Sequence, residues 1–121
     1  MLHNHTISFK HAFDGLMWSL KTQPNYRIHL FLSIVALLGS WFFHITETQL
    51  IIVVFLITVG LVIETINTAI EQTTDAIDTK WREDIKLAKD LGAAAMLIFA
   101  GGAFVISCII FLPKIYQVIF K

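Results

Sequence analysis

The sequence predicts an all-α membrane protein: three transmembrane helices preceded by an N-terminal amphipathic surface helix. Three observations carry that reading. Hydrophobic residues make up 56% of the 121-residue chain and charged residues only 15%, far from the balance of a soluble domain. The apolar residues gather in long blocks without strand-like alternation, and in hydrocarbon such blocks satisfy their backbone groups as helices. Lysine and arginine collect in the segments between the blocks.

The elements follow in order. Residues 6–22 place Phe9, Ala12, Phe13, Leu16 and Leu20 at helical spacing, with Lys10, Asp14 and Lys21 elsewhere, the pattern of a helix lying in the membrane interface. Thr22 to Asn25 read as a break, because Pro24 disfavours helix for the residue before it. Residues 28–45, 50–70 and 91–112 are the three spans, each close to the ~20 residues that cross a hydrocarbon core of about 30 Å. The aromatic run Trp41, Phe42, Phe43 suits a membrane boundary. TETQ joins spans one and two, a polar link from Asp78 to Asp90 joins spans two and three, and Pro113 with Lys114 closes the third.

The chain reads as one domain, 1–121. Lys10, Lys21 and Arg27 precede span one, and Lys80, Arg82, Lys86 and Lys89 lie between spans two and three. Positive charge marks the cytoplasmic side, which puts the N-terminus there and the C-terminus outside, against the weaker contrary signal of Lys114 and Lys121. A net charge of zero gives no basic face for nucleic acid. The single Cys108, a small apolar residue in this setting, excludes an internal disulfide. The opening MLHNHTISFKHAF lacks the short apolar core and cleavage site of a removable signal peptide.

The chemistry concentrates in ETINTAIEQTTDAID, residues 64–78. At 100° per residue, Glu64, Asn67, Glu71, Asp75 and Asp78 fall within an arc of about 80° and extend along roughly 21 Å of one helix face. This carboxylate stripe starts inside the bilayer and climbs into the cytoplasm, with Asp78 a solvated residue near the helix end. Asn67, Thr68 and Thr74 also have a plain reading as hydrogen-bonding glue between helices, but a pair of intramembrane carboxylates marks function. Oxygen ligands suit Mg²⁺, which binds through one or two carboxylates plus substrate phosphates. A second carboxylate at the lipid boundary suits a general base. Lys86, Lys89 and Asp90 stand at the cytoplasmic start of span three, where Lys89 suits a nucleotide phosphate and both lysines also suit a membrane anchor. No P-loop and no glycine-rich kinase loop is present.

ETINTAIEQTTDAID followed by KLAKDLGAAA resembles the prokaryotic diacylglycerol kinase family, small integral membrane lipid kinases that include undecaprenol kinases. The resemblance covers the chain from the amphipathic start to the end. It implies ATP-dependent phosphorylation of a membrane lipid alcohol, in a homotrimer of the bacterial plasma (inner) membrane with composite, cytoplasm-facing sites. It also implies Glu64 as the base and a lipid-site residue together with Asn67, Glu71 as the Mg²⁺ ligand on ATP, and Asp75, Lys89 and Asp90 in nucleotide binding. The family's second metal-binding glutamate falls at Gln23, whose carbonyl coordinates without charge. The rival readings are a small cation- or proton-conducting oligomer using the Glu64/Glu71 stripe and a passive scaffold. The first needs polar groups across the bilayer, and Leu50 to Val59 offers only Thr58; the second leaves Glu64 unexplained.

The remaining candidates take structural readings. His3, His5, His11, His29 and His44 have no partners at zinc spacing. Trp18, Trp81 and Tyr116 suit interfacial belts. Gly92, Ala93, Ala100, Gly101, Gly102, Ala103 and Ser107 suit close helix packing, expected between subunits.

Overall fold

The computed structural model describes the backbone of residues 2–120 and the side chains of residues 8–120. The expectations for His3 and His5 lie outside the described side chains. Four helices follow one another, α1 (Leu2–Thr22), α2 (Pro24–Phe42), α3 (Glu47–Ile77) and α4 (Glu83–Ile119), with no strand among the described residues.

The helices are longer than the spans expected within them, for local reasons. The break between α1 and α2 is Gln23 alone, because Pro24 takes the first helical position, where its missing N–H costs nothing. The end of α2 comes at Phe42, not Ile45. His44 adopts φ 48, its N–H bonds Trp41 O at 3.3 Å, and the N–H of Ile45 bonds Ser40 O at 3.3 Å. That pair is a Schellman closure with a histidine in the left-handed position. The TETQ turn is in fact the start of α3: Thr46 Oγ1 accepts from Gln49 N at 3.3 Å, while Gln49 Oε1 accepts from Thr46 N at 3.0 Å, a capping box.

The 31 residues of α3 span about 46 Å, more than the ~30 Å of hydrocarbon. The helix is therefore longer than one crossing requires, and the whole stripe lies on this one unbroken element. In α4 the helix passes through Pro113 instead of ending there. Proline removes one backbone bond, whereas ending the helix there would forfeit the bonds of the turns beyond it.

α3 packs most extensively on α4 and next on α2, and α1 touches α2 and α3. At the α3–α4 contact the Phe99 ring lies on Gly60, where an added Cβ would fall 2.6 Å from its Cε1 atom. The burial pattern inverts that of a soluble protein. Among the described residues the buried hydrophobic side chains are Tyr26, Val53 and Ile110, against six polar ones: Ser19, Ser40, Glu64, Asn67, Thr68 and Thr74. Phe9 and Phe13 on α1, and most large apolar residues of α2 to α4, face outward, as lipid contact requires.

α3 and α4 are long and apolar enough to cross a membrane. The polar first turn of α2, Pro24-Asn25-Tyr26-Arg27, keeps it short of the same measure. Between α2, α3 and α4 runs an apolar cleft of about 540 Å³, with His29 at one end and Ile115 among its lining, and with Ala100, Ala103 and Ser107 contributed by α4. Gly101 and Gly102 face open space within the chain.

Candidate phosphotransfer site

The stripe on α3 is graded in burial. Glu64 and Asn67 are buried at 3% and 5% exposure, Glu71 is half-buried, and Asp75 is exposed. Asp78 is the C-cap of α3. α2 approaches the Glu64 end through His29, and α4 meets the stripe at Asn67 through Gly92 and at Asp75 through Lys89.

From α2, His29 approaches Glu64, with Nε2 4.0 Å from Oε2. Tyr26, one turn earlier on the same face, is buried and its hydroxyl lies 3.5 Å from Thr65 Oγ1. The sequence reading gave His29 a structural role and missed Tyr26. The i, i+3 spacing of Tyr26 and His29 is the signal that places both on one face of α2.

Asn67 is bonded along its own helix. Its Nδ2 donates to Glu71 Oε1 at 3.2 Å, and since a carboxylate only accepts, this bond fixes which way the amide points. Asn67 Oδ1 is left buried and without a partner among the described residues. A buried acceptor without a donor costs about 1–3 kcal/mol, and such atoms gather at functional sites. Oδ1 faces Gly92 of α4, where any Cβ would collide with it. Gly92 was expected to serve packing between subunits; within the chain it lies instead against the site. Thr74 Oγ1 bonds Ile70 O and Glu71 O, both at 2.9 Å, within its own helix.

Lys89 reaches from α4 to α3, with Nζ 2.5 Å from Asp75 Oδ1. Asp90 points elsewhere and pairs with Lys86 at 2.5 Å. The structure thus joins Lys89 to the stripe and keeps Asp90 one position round the helix. Gln23 sits at the α1–α2 break, its amide donating to Thr22 Oγ1 at 3.3 Å. At the start of α4, Arg82 grips Asp84 with Nε–Oδ1 3.1 Å and Nη2–Oδ2 2.6 Å. That hydrogen bond, helped by Ile85 N–H, holds the Asp84 carboxyl below its ordinary range.

No group of three or more His, Cys, Asp or Glu converges on a metal position among the described residues. What α3 offers is one half-buried carboxylate, Glu71, braced by an amide whose own oxygen is unsatisfied, and a lysine one helix away. That donor set does not make a protein cage. It fits a hard cation that arrives with phosphates.

A sequence model of the prokaryotic diacylglycerol kinases matches residues 10–111. The chain belongs to that family. It is 33% identical over 108 residues to an undecaprenol kinase of Bacillus subtilis, a match covering 89% of this chain and 88% of the relative. It is 27% identical over 113 residues to a diacylglycerol kinase of Synechocystis, of which the match covers 65%. A diacylglycerol kinase of Haemophilus influenzae is 28% identical over 91 residues. A prokaryotic diacylglycerol kinase is a lipid kinase, and the buried Glu64, the Asn67–Glu71 pair and Lys89 are this chain's candidates for its site.

Proposed function

We propose that the chain transfers the γ-phosphoryl group of ATP to the hydroxyl of a membrane lipid alcohol at the cytoplasmic face of a bacterial plasma membrane. The observation that carries this is the graded stripe of α3. One continuous helix holds a buried carboxylate at one end and a half-buried, amide-braced carboxylate two turns on, followed by Asp75, which a lysine of α4 pairs with.

In this reading the alcohol lies with its hydroxyl at Glu64 and Asn67 and its apolar body in the bilayer. Glu64 accepts the hydroxyl proton as the alcohol oxygen attacks the γ-phosphorus in line, and ADP departs with the bridging oxygen. Glu71 holds Mg²⁺ on the nucleotide, with Gln23 a weaker candidate. Bound Mg²⁺ supplies neutralisation of phosphate charge. Lys89, Asp75 and Asp90 bind the nucleotide, with Lys89 exchanging Asp75 for a phosphate oxygen of higher charge. Asn67 orients Glu71 through the bond that its Nδ2 donates.

The fold expected around this chemistry is a single domain with α1 on the membrane surface, α2 as a third span, and three chains assembled so that neighbours complete each site. A conducting pathway is not favoured: Thr58, the only polar side chain between Leu50 and Val59, spends its hydroxyl on Val54 O at 2.9 Å. Undecaprenol and diacylglycerol are the substrate candidates, and undecaprenol stands first because the relative of that name shares 33% identity along 88% of its length. The test is phosphotransfer from labelled ATP by purified protein in lipid nanodiscs, with each alcohol supplied separately. Product with neither alcohol would refute the proposal, and the ratio of kcat/KM values names the substrate.

A further inference from the structure

Gly92 lies in the interior of α4, where glycine carries a cost in helix propensity. Its backbone does not explain it, since no glycine among the described residues has a positive φ. Space does. A Cβ at this position would collide with Asn67 Oδ1 and lie 3.6 Å from Ile70 Cδ1. Gly92 and Asn67 are both buried, and turning the carboxamide aside would break its bond to Glu71.

We infer that Gly92 is a positioning residue of the phosphotransfer site: its missing Cβ admits the Asn67 carboxamide against α4, and the seated carboxamide fixes Glu71 to receive the metal nucleotide. The inference rests on the lipid kinase reading given above. It assigns to Gly92 no contact with substrate. A methyl group there pushes Asn67 away from α4, releases Glu71 Oε1, and leaves a metal-binding carboxylate free to turn. Loss of such a bracing hydrogen bond typically weakens metal affinity by about 10-fold to 100-fold.

The test is binding of a fluorescent ATP analogue to the full chain in nanodiscs, titrated with Mg²⁺, alongside steady-state kinetics and thermal unfolding. Gly92→Ala is expected to raise the Mg²⁺ concentration for half-maximal nucleotide binding about 10-fold or more, with a rise in the KM for lipid alcohol no larger than that of Asn67→Ala. In an Asn67→Ala background, where the space is already open, the same substitution is expected to add nothing. Gly101→Ala, on the same helix with nothing within 4 Å of an added Cβ, is the control and should bind as the wild type does. Wild-type Mg²⁺ dependence in Gly92→Ala would overturn the inference, as would an equal loss in both backgrounds. Should Gly92→Ala alone fail to fold, a double variant that folds and matches Asn67→Ala supports the inference, and one that fails to fold overturns it. Absence of Mg-nucleotide binding by the wild type would sink the kinase reading itself, whereas wild-type binding with an indifferent Gly92→Ala sinks only the role of Gly92.

Discussion

Replacing Glu64 with glutamine isolates its proposed chemistry from its packing. The side chain is 4% exposed and glutamine keeps its shape, so the contacts with α2 survive. The imidazole Nε2 of His29, charged only when protonated, is 4.0 Å away, beyond hydrogen-bonding distance. The substitution therefore breaks no bonded pair and leaves no charge stranded, and the unfolding midpoint should not fall. A general base contributes roughly 10²–10⁴-fold, which at about 1.36 kcal/mol per tenfold amounts to roughly 2.7–5.4 kcal/mol of barrier. Glu64→Gln should lower kcat by that factor while Mg-nucleotide binding stays unchanged. Glu64→Asp, which keeps the charge but retracts it by one methylene, should fall between the two, because a misplacement of about 1 Å costs up to 10²-fold. The assay is ATP-dependent lipid phosphorylation in nanodiscs with thermal unfolding in parallel. A Glu64→Gln enzyme turning over within about tenfold of the wild type would refute the base assignment.

Lys89→Ala should raise the KM for ATP about tenfold or more, as loss of a charge-assisted bond worth ~1.5–3 kcal/mol predicts, while the KM for lipid stays put. Because the Lys89 and Asp75 side chains are 36% and 47% exposed, stability should change by no more than about 1 kcal/mol; an unaltered ATP dependence in steady-state kinetics would refute the role. Gly60→Ala should destabilise the α3–α4 pair by roughly 1–3 kcal/mol through overpacking, because its Cβ would meet Phe99 at 2.6 and 2.8 Å, and thermal unfolding measures it directly. Asp84→Asn should cost a little stability at neutral pH. Asp84 has a depressed folded-state pKa, so its contribution is present above the unfolded value, shrinks as pH drops below roughly 4, and vanishes under the folded value. A pH series of unfolding midpoints checks the sign.

The helical class and the stripe of α3 were legible because each rests on one local period: blocks of apolar residues fix the class, and 100° per residue brings Glu64, Asn67, Glu71 and Asp75 to one face. Helix ends were less legible. Pro24, Thr46 and Pro113 carry opposite meanings according to whether the chain enters, starts or continues a helix, and that is decided by the neighbouring turn and the solvent. Partners across helices were the least legible. That His29 faces Glu64 and that Gly92 faces Asn67 depends on how α2 and α4 cross α3, which no spacing within one helix encodes. The KDLG stretch gave Lys89 and Asp90 equal standing, yet helix rotation sends them to different partners, Asp75 and Lys86.

The spacing along α3 also constrains the reaction. Glu64 and Asp75 are eleven positions apart, about 16 Å along the axis, and Lys89 is held at the Asp75 end. In the proposed reaction a lysine there would meet the distal part of a nucleotide rather than the phosphorus under attack beside Glu64. Glu71 stands between, about 10 Å from Glu64 along the helix, which suits a triphosphate laid along the stripe with its γ end toward the lipid. Laid so, the nucleotide would be covered on one side by α3 and α4 alone. The other side would stay open to water, which must be excluded if the alcohol is to outcompete it for the γ-phosphoryl group. This requirement, together with the outward-facing apolar surfaces of α2 and α4, gives a physical reason for the composite, multi-chain site that the family resemblance implies: a neighbouring chain would close the open side of the stripe.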